Sequence, residues 1–161
     1  MKIGQVYIVL IMYLCMATAC HKPSYILDHT FEDDCWPMSD SLMFSVDTES
    51  LGANPVMRFQ VTFLKDYAKR NLYLKLLMDT PSDQKKDTLI QNIMIDESGN
   101  WLTEASWGVY PYTFEPGLKL SLAEQGLYSF RLIHYMRDEQ VCQLQRVVVW
   151  VEEESIAEDQ H

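Results

Sequence analysis

The stretch "NLYLKLLMD", residues 71–79, decides the fold. Leu72, Leu74, Leu76 and Met78 fall on every second position, with Tyr73, Lys75 and Asp79 opposite them. A period of two belongs to an extended chain with one face in a core and one in water; a helix would repeat every 3.6 residues. Upstream, "VMRFQVTF", 56–63, repeats the pattern, with Met57, Phe59, Val61 and Phe63 on one face and Arg58, Gln60 and Thr62 on the other. "SLMFSVD", 41–47, aligns Leu42, Phe44 and Val46. Downstream, "GLYSFRLIHYMRD", 126–138, aligns Tyr128, Phe130, Leu132, His134 and Met136. In "DTLIQNIMID", 87–96, the spacing aligns Leu89, Ile93 and Ile95, and the run from Leu144 to Val151 is rich in β-branched residues. Turn signals separate these runs: "LGANP", "DTPSD", "DESGN", "FEPG" and "EQG". No window carries a capped helical stripe, and "SLAEQ", 121–125, makes one turn at most.

Short strands with Gly, Pro and Asn turns between them predict an all-β chain: a single antiparallel β-sandwich of jelly-roll or immunoglobulin-like kind. The Cys…Trp…Cys pattern of true immunoglobulin domains is absent. The boundaries read as follows. Residues 1–19 form a lipoprotein signal peptide, 20–39 a lipidated tether and entry segment, 40–152 the sandwich, and 153–161 an acidic tail.

The leader reading rests on one charge, Lys2, and an apolar run from Val6 to Met16, which has the size of a secretory hydrophobic region and is short for a membrane span. The small residues Ala17, Thr18 and Ala19 then precede Cys20. This resembles a bacterial lipobox, in which the cysteine thiol receives a diacylglycerol and the chain is cut before it. Leu, usual three residues before the cysteine, is replaced by Ala17. Cys15 does not fit, because the bulky Met12, Tyr13 and Leu14 precede it. The alternative is an uncleaved helix over residues 3–19, at the bottom of the spanning range. With Cys20 as the first mature residue, a covalent lipid would tether the protein to a membrane. Each buried methylene adds about 0.8 kcal/mol, so two or three chains hold firmly.

Removing the leader leaves 142 residues, with 12 basic against 23 acidic side chains. That balance argues against nucleic acid, whose phosphates need a basic face, and against a polybasic lipid patch. The run Glu152, Glu153, Glu154 with Glu158 and Asp159 reads as a solvated tail. Of the cysteines, Cys35 and Cys142 remain. A disulfide between them would restrict the unfolded chain by roughly 4–5 kcal/mol, and two separately buried thiols fit the sequence equally well. The histidines (His21, His29, His134, His161) are scattered without ligand spacing, so no metal site is expected.

No catalytic motif is present: no G-x-S-x-G, no H-E-x-x-H. Asp79, Asp87 and Asp96 lie beside turn signals, where Asp bonds to backbone. His134, between Leu132 and Met136, reads as a satisfied core histidine. The oxygens of 96–100 do not make the twelve-residue calcium loop. Trp101, Trp107, Tyr110, Tyr112 and Phe114 crowd one segment. They read, in order, as a cover over an open end of the sandwich, a protein interface, or a carbohydrate platform.

Four ordered segments carry a resemblance. They are "WPMSDSLMFSV", 36–46; "YAKRNLYLKL", 67–76; "DTLIQNIMIDESGNWL", 87–102; and "GLYSFRLIHYMRDEQVCQLQRVVVWVE", 126–152. Together they are similar to the gliding motility-associated lipoprotein GldH family of Bacteroidetes. Two departures mark a divergent member: Tyr67–Arg70 lacks a Tyr-Pro-Tyr, and Val141 to Leu144 replace a Leu-Gly. The resemblance implies an outer-membrane lipoprotein on the periplasmic face. It would be a non-enzymatic accessory of the gliding and type IX secretion apparatus, in contact with other envelope lipoproteins and with no cofactor beyond the lipid on Cys20. After Cys20 come His21, Lys22, Pro23 and Ser24, which lack the acidic run of a surface-export signal. The alternative function is a lipid-anchored carbohydrate-binding module. Coplanar Trp101 and Trp107 rings in a groove would favour it, and burial would favour the accessory protein.

Overall fold

The computed structural model describes residues 24–51, 55–114, 122 and 124–153. Among them the strands, in chain order, are β1 (Ser24–Thr30), β2 (Cys35–Pro37), β3 (Leu42–Asp47), β4 (Pro55–Leu64), β5 (Asn71–Asp79), β6 (Lys85–Ile93), β7 (Val109–Phe114), β8 (Leu127–His134), β9 (Gln140–Cys142) and β10 (Leu144–Glu153). One four-stranded sheet has the order β1-β10-β4-β7 and the other β3-β8-β5-β6, with β2 and β9 pairing separately. Every pairing is antiparallel. The long strands pair as nested partners: β1 with β10, β3 with β8, β4 with β7, β5 with β6. A long hairpin rolled up on itself gives this order, so of the two kinds of sandwich expected, this is the jelly roll.

The alternation read from the sequence fills the core. Leu72, Leu74, Leu76 and Met78 of β5, Phe59, Val61 and Phe63 of β4, and Tyr128, Phe130 and Leu132 of β8 are all buried. Within the sheets Phe44 stacks on its register partner Phe130 at 5.1 Å and Phe59 on its register partner Phe114 at 5.5 Å, while across the sandwich Phe44 lies edge-on to Phe59 at 6.4 Å. Burying each such side chain is worth about 1.5–3 kcal/mol. Trp36 is fully buried, stacked on Phe31 at 5.0 Å, and its indole N–H donates to the Asp40 carbonyl at 3.0 Å.

Three expectations are corrected. Residues 24–37, expected within the tether and entry segment, supply β1 and β2 and two core aromatics, Phe31 and Trp36. In β6 the inward set is Ile90 and Asn92, continued by Met94, while Leu89 and Ile93 are exposed. Pairing with β5 decides this: Leu72 faces Asn92 and Leu74 faces Ile90, so these share the core side, and Leu89 sits opposite Lys75 on the outer side. Finally, His134 is buried as expected, but both ring nitrogens lack hydrogen-bond partners among the described residues.

Register also defines two ends. Ser24 pairs with Val151 and Val151 with Met57, while Leu127 pairs with Asp47 and Ser129 with Asp79. These mark the end where β1 enters. At the other end lie Thr30 beside Arg146, Leu64 beside Val109, and the β2–β9 pair.

Candidate functional site

The far end is built around aromatic residues. Leu64 ends β4, and the turn to Asn71 returns Tyr67 into the core, where its hydroxyl donates to the Asn71 carbonyl at 3.2 Å. Burial pushes the Tyr67 hydroxyl well above the ordinary tyrosine range, and the Asp138 charge adds to it. Phe63 lies 4.5 Å from Tyr67 and 5.8 Å from Trp101. Trp101 is half-buried, and one of its faces stacks on Tyr110 at 4.2 Å. Tyr112, also half-buried, tilts against Phe114 at 6.3 Å. Trp101, Tyr110 and Tyr112 therefore cover the open flank of the sandwich.

Trp107 does something else. It stands at 102% relative exposure on a two-residue turn between Ser106 and Val109. Ser106 N–H donates to the Val109 carbonyl at 2.8 Å, and Val109 N–H donates back at 3.0 Å. The two tryptophans are thus not a coplanar pair in a groove: one is packed and one is free in solvent.

The loop before the turn is fixed by Asp96. Its carboxylate accepts from the Ser98 and Asn100 backbone N–H groups, each at 2.8 Å, and from the Asn100 side chain at 3.2 Å. The bonds from Asn100 hold the carboxyl below its usual range. With its oxygens committed to its own loop, Asp96 acts as a turn residue. Asp87 does not: it lies within β6, and Lys75 Nζ sits 2.9 Å from it. Among the described residues no group of three or more His, Cys, Asp or Glu is arranged to hold a metal.

Cys35 and Cys142, directly opposite in the β2–β9 register, are joined in a disulfide. Cys20 lies outside the described residues. The outer face of the second sheet carries two open grooves that the sequence reading did not single out. One, about 420 Å³, runs between Met43, Leu77, Arg131 and Asp87. The other, about 540 Å³, lies between Tyr73, Leu89, Tyr135 and Asp138. Tyr73 and Tyr135 were legible only once β5 and β8 were known to be neighbours.

The GldH lipoprotein family model matches residues 25–149, from β1 to near the end of β10. The chain belongs to the GldH lipoprotein family. Membership makes it a gliding-motility-related lipoprotein, and the family is not known as one of enzymes. The match begins within β1, which agrees with β1 being part of the folded unit. No curated protein matches the chain.

Proposed function

We propose that this protein is a non-enzymatic lipoprotein, acylated on Cys20 and held at the periplasmic face of the outer membrane. There it serves the gliding and type IX secretion apparatus through contacts with other envelope lipoproteins. The observation that carries the reading is the family match across the whole sandwich. Two features support it. Ala17-Thr18-Ala19-Cys20 has the small residues a lipoprotein signal peptidase requires. The fold also keeps a large apolar ring, Trp107, uncovered, and exposed aromatics of this kind anchor protein interfaces. The carbohydrate-module reading needs a platform of paired rings, and Trp101 has given one of its faces to Tyr110.

Deletion in the native organism tests the proposal. Motility, secreted cargo and the stability of neighbouring lipoproteins are measured. A drop in at least one is expected. Unchanged values for all three, with loss of polysaccharide binding, would transfer the assignment to the glycan module.

A further inference from the structure

We infer that the turn at 106–109 is a protein-docking knob, in which Trp107 inserts into an apolar, basic-rimmed pocket of a protein partner at the end of the sandwich remote from the lipid. The inference rests on the lipid-anchored reading above for its orientation.

The backbone is the first argument. Trp107 has φ 52° and Gly108 φ 83°. A two-residue hairpin turn with both central residues at positive φ suits Asn-Gly, because Asn tolerates the left-handed region and a bulky side chain does not. The sequence places its largest side chain in the first of those positions. Exposure is the second argument. No part of the described protein covers the ring, so among the described residues neither the strained backbone nor the exposed apolar surface is offset by a contact. A contact outside it is the remaining use for the ring.

Position is the third argument. Val109, the residue after the turn, pairs with Leu64 at the far end of β4. Between Cys20 and Ser24 lie only His21, Lys22 and Pro23, a reach of about 14 Å when fully extended. From Pro55 to Leu64, β4 has ten residues and spans about 33 Å. The lipid and Trp107 therefore sit at opposite ends, and the ring faces away from the bilayer.

Shape and charge choose the occupant. A ring on the tip of a turn is convex, so the partner supplies the concavity. A sugar platform would need a flat or hollow surface with polar flanks. The segment 94–108 carries Asp96, Glu97 and Glu104 and no Lys or Arg. Arg70 reaches it from the turn before β5, 3.7 Å from Glu97. Three acidic charges against that one base still leave it acidic, so a basic rim on the partner complements it.

The test uses the full acylated chain in its native organism, with a photoreactive benzoylphenylalanine at position 107 or, as a control, at exposed Leu127 near the end where β1 enters. The expected result is a discrete protein adduct from 107, at least tenfold above any such adduct from 127. Co-expressed unmodified chain should suppress it, and co-expressed Trp107→Asn chain should not. The Trp107→Asn protein should melt no lower than the parent, since Asn suits the turn, and should fail to restore a deletion strain. A lipid or glycan adduct at 107, no adduct at 107, equal suppression by both competitors, or full restoration by Trp107→Asn would each overturn the inference. A deletion without phenotype would instead sink the accessory role, leaving the crosslinking arms to decide this one.

Discussion

His134 is a buried imidazole edge-on to Trp36 at 5.7 Å, and among the described residues neither of its nitrogens has a hydrogen-bond partner. Desolvation pushes its pKa below the ordinary histidine value, against a smaller opposing pull from Asp138. The unfolded chain therefore takes up a proton near pH 6.5 before the folded one does. This contribution is complete above pH 6.5 and is lost as pH falls from there through the lowered folded value. His134→Leu should remove that dependence and change stability at pH 7 by less than about 1 kcal/mol, because two unpartnered polar atoms leave the core with the ring. Denaturant midpoints at pH 5 and pH 7.5 measure it; an unchanged slope in the variant would refute the assignment. Trp36 has no such slack. Fully buried between Phe31 and His134, it should cost about 3–5 kcal/mol as Trp36→Ala, read from the same denaturation curves.

At the scale of the strand, register carries the content. β4, β5 and β8 were legible because their inward positions are almost all apolar, so only one face can be the core. β6 was not, because it is an edge strand with apolar residues on both faces and an Asn on the buried one. Its register is imposed by β5, which no window of β6 contains. β1 was hidden for a related reason. A register irregularity between Tyr25 and Leu27 breaks the alternation, and exposed Asp28 pairs with Arg146 rather than joining the core. The register predicts a contrast in β6. Leu89→Lys should shift stability by no more than about 0.5 kcal/mol, and Ile90→Lys, one residue on, should cost at least about 2 kcal/mol. Thermal melts of the two variants measure this, and equal losses would mean the register is wrong. A second element-scale prediction concerns β2 and β9, each three residues long. Reducing Cys35–Cys142 should release up to about 4–5 kcal/mol and lower the melting temperature by about 10 °C or more. Parallel melts with and without reductant would show it.

For the molecule as a whole, the jelly roll makes its first and last strands neighbours, since β1 pairs along β10. The sequence showed the class of fold and the crowding of aromatics at 101–114. It could not divide those rings into a cover and a free knob, because only the folded turn exposes Trp107 and only β4 and β7 together bury the others. The same nesting sets the domain boundary and gives a sharp test. A chain begun at residue 40, where the composition alone would start the domain, loses β1, β2, Phe31 and Trp36 together. Cys142 is left without its partner, and the edge of β10 that β1 covers is bared along a row of Val147, Val148 and Val149. Bare apolar edges pair with other chains. The chain 21–161 should therefore be monomeric on size exclusion and melt in one cooperative transition. The chain 40–161 should aggregate or melt without cooperativity, although both keep most of the predicted strands. A cooperative, monomeric 40–161 would show that β1 is an accessory strand rather than a structural member of the sandwich.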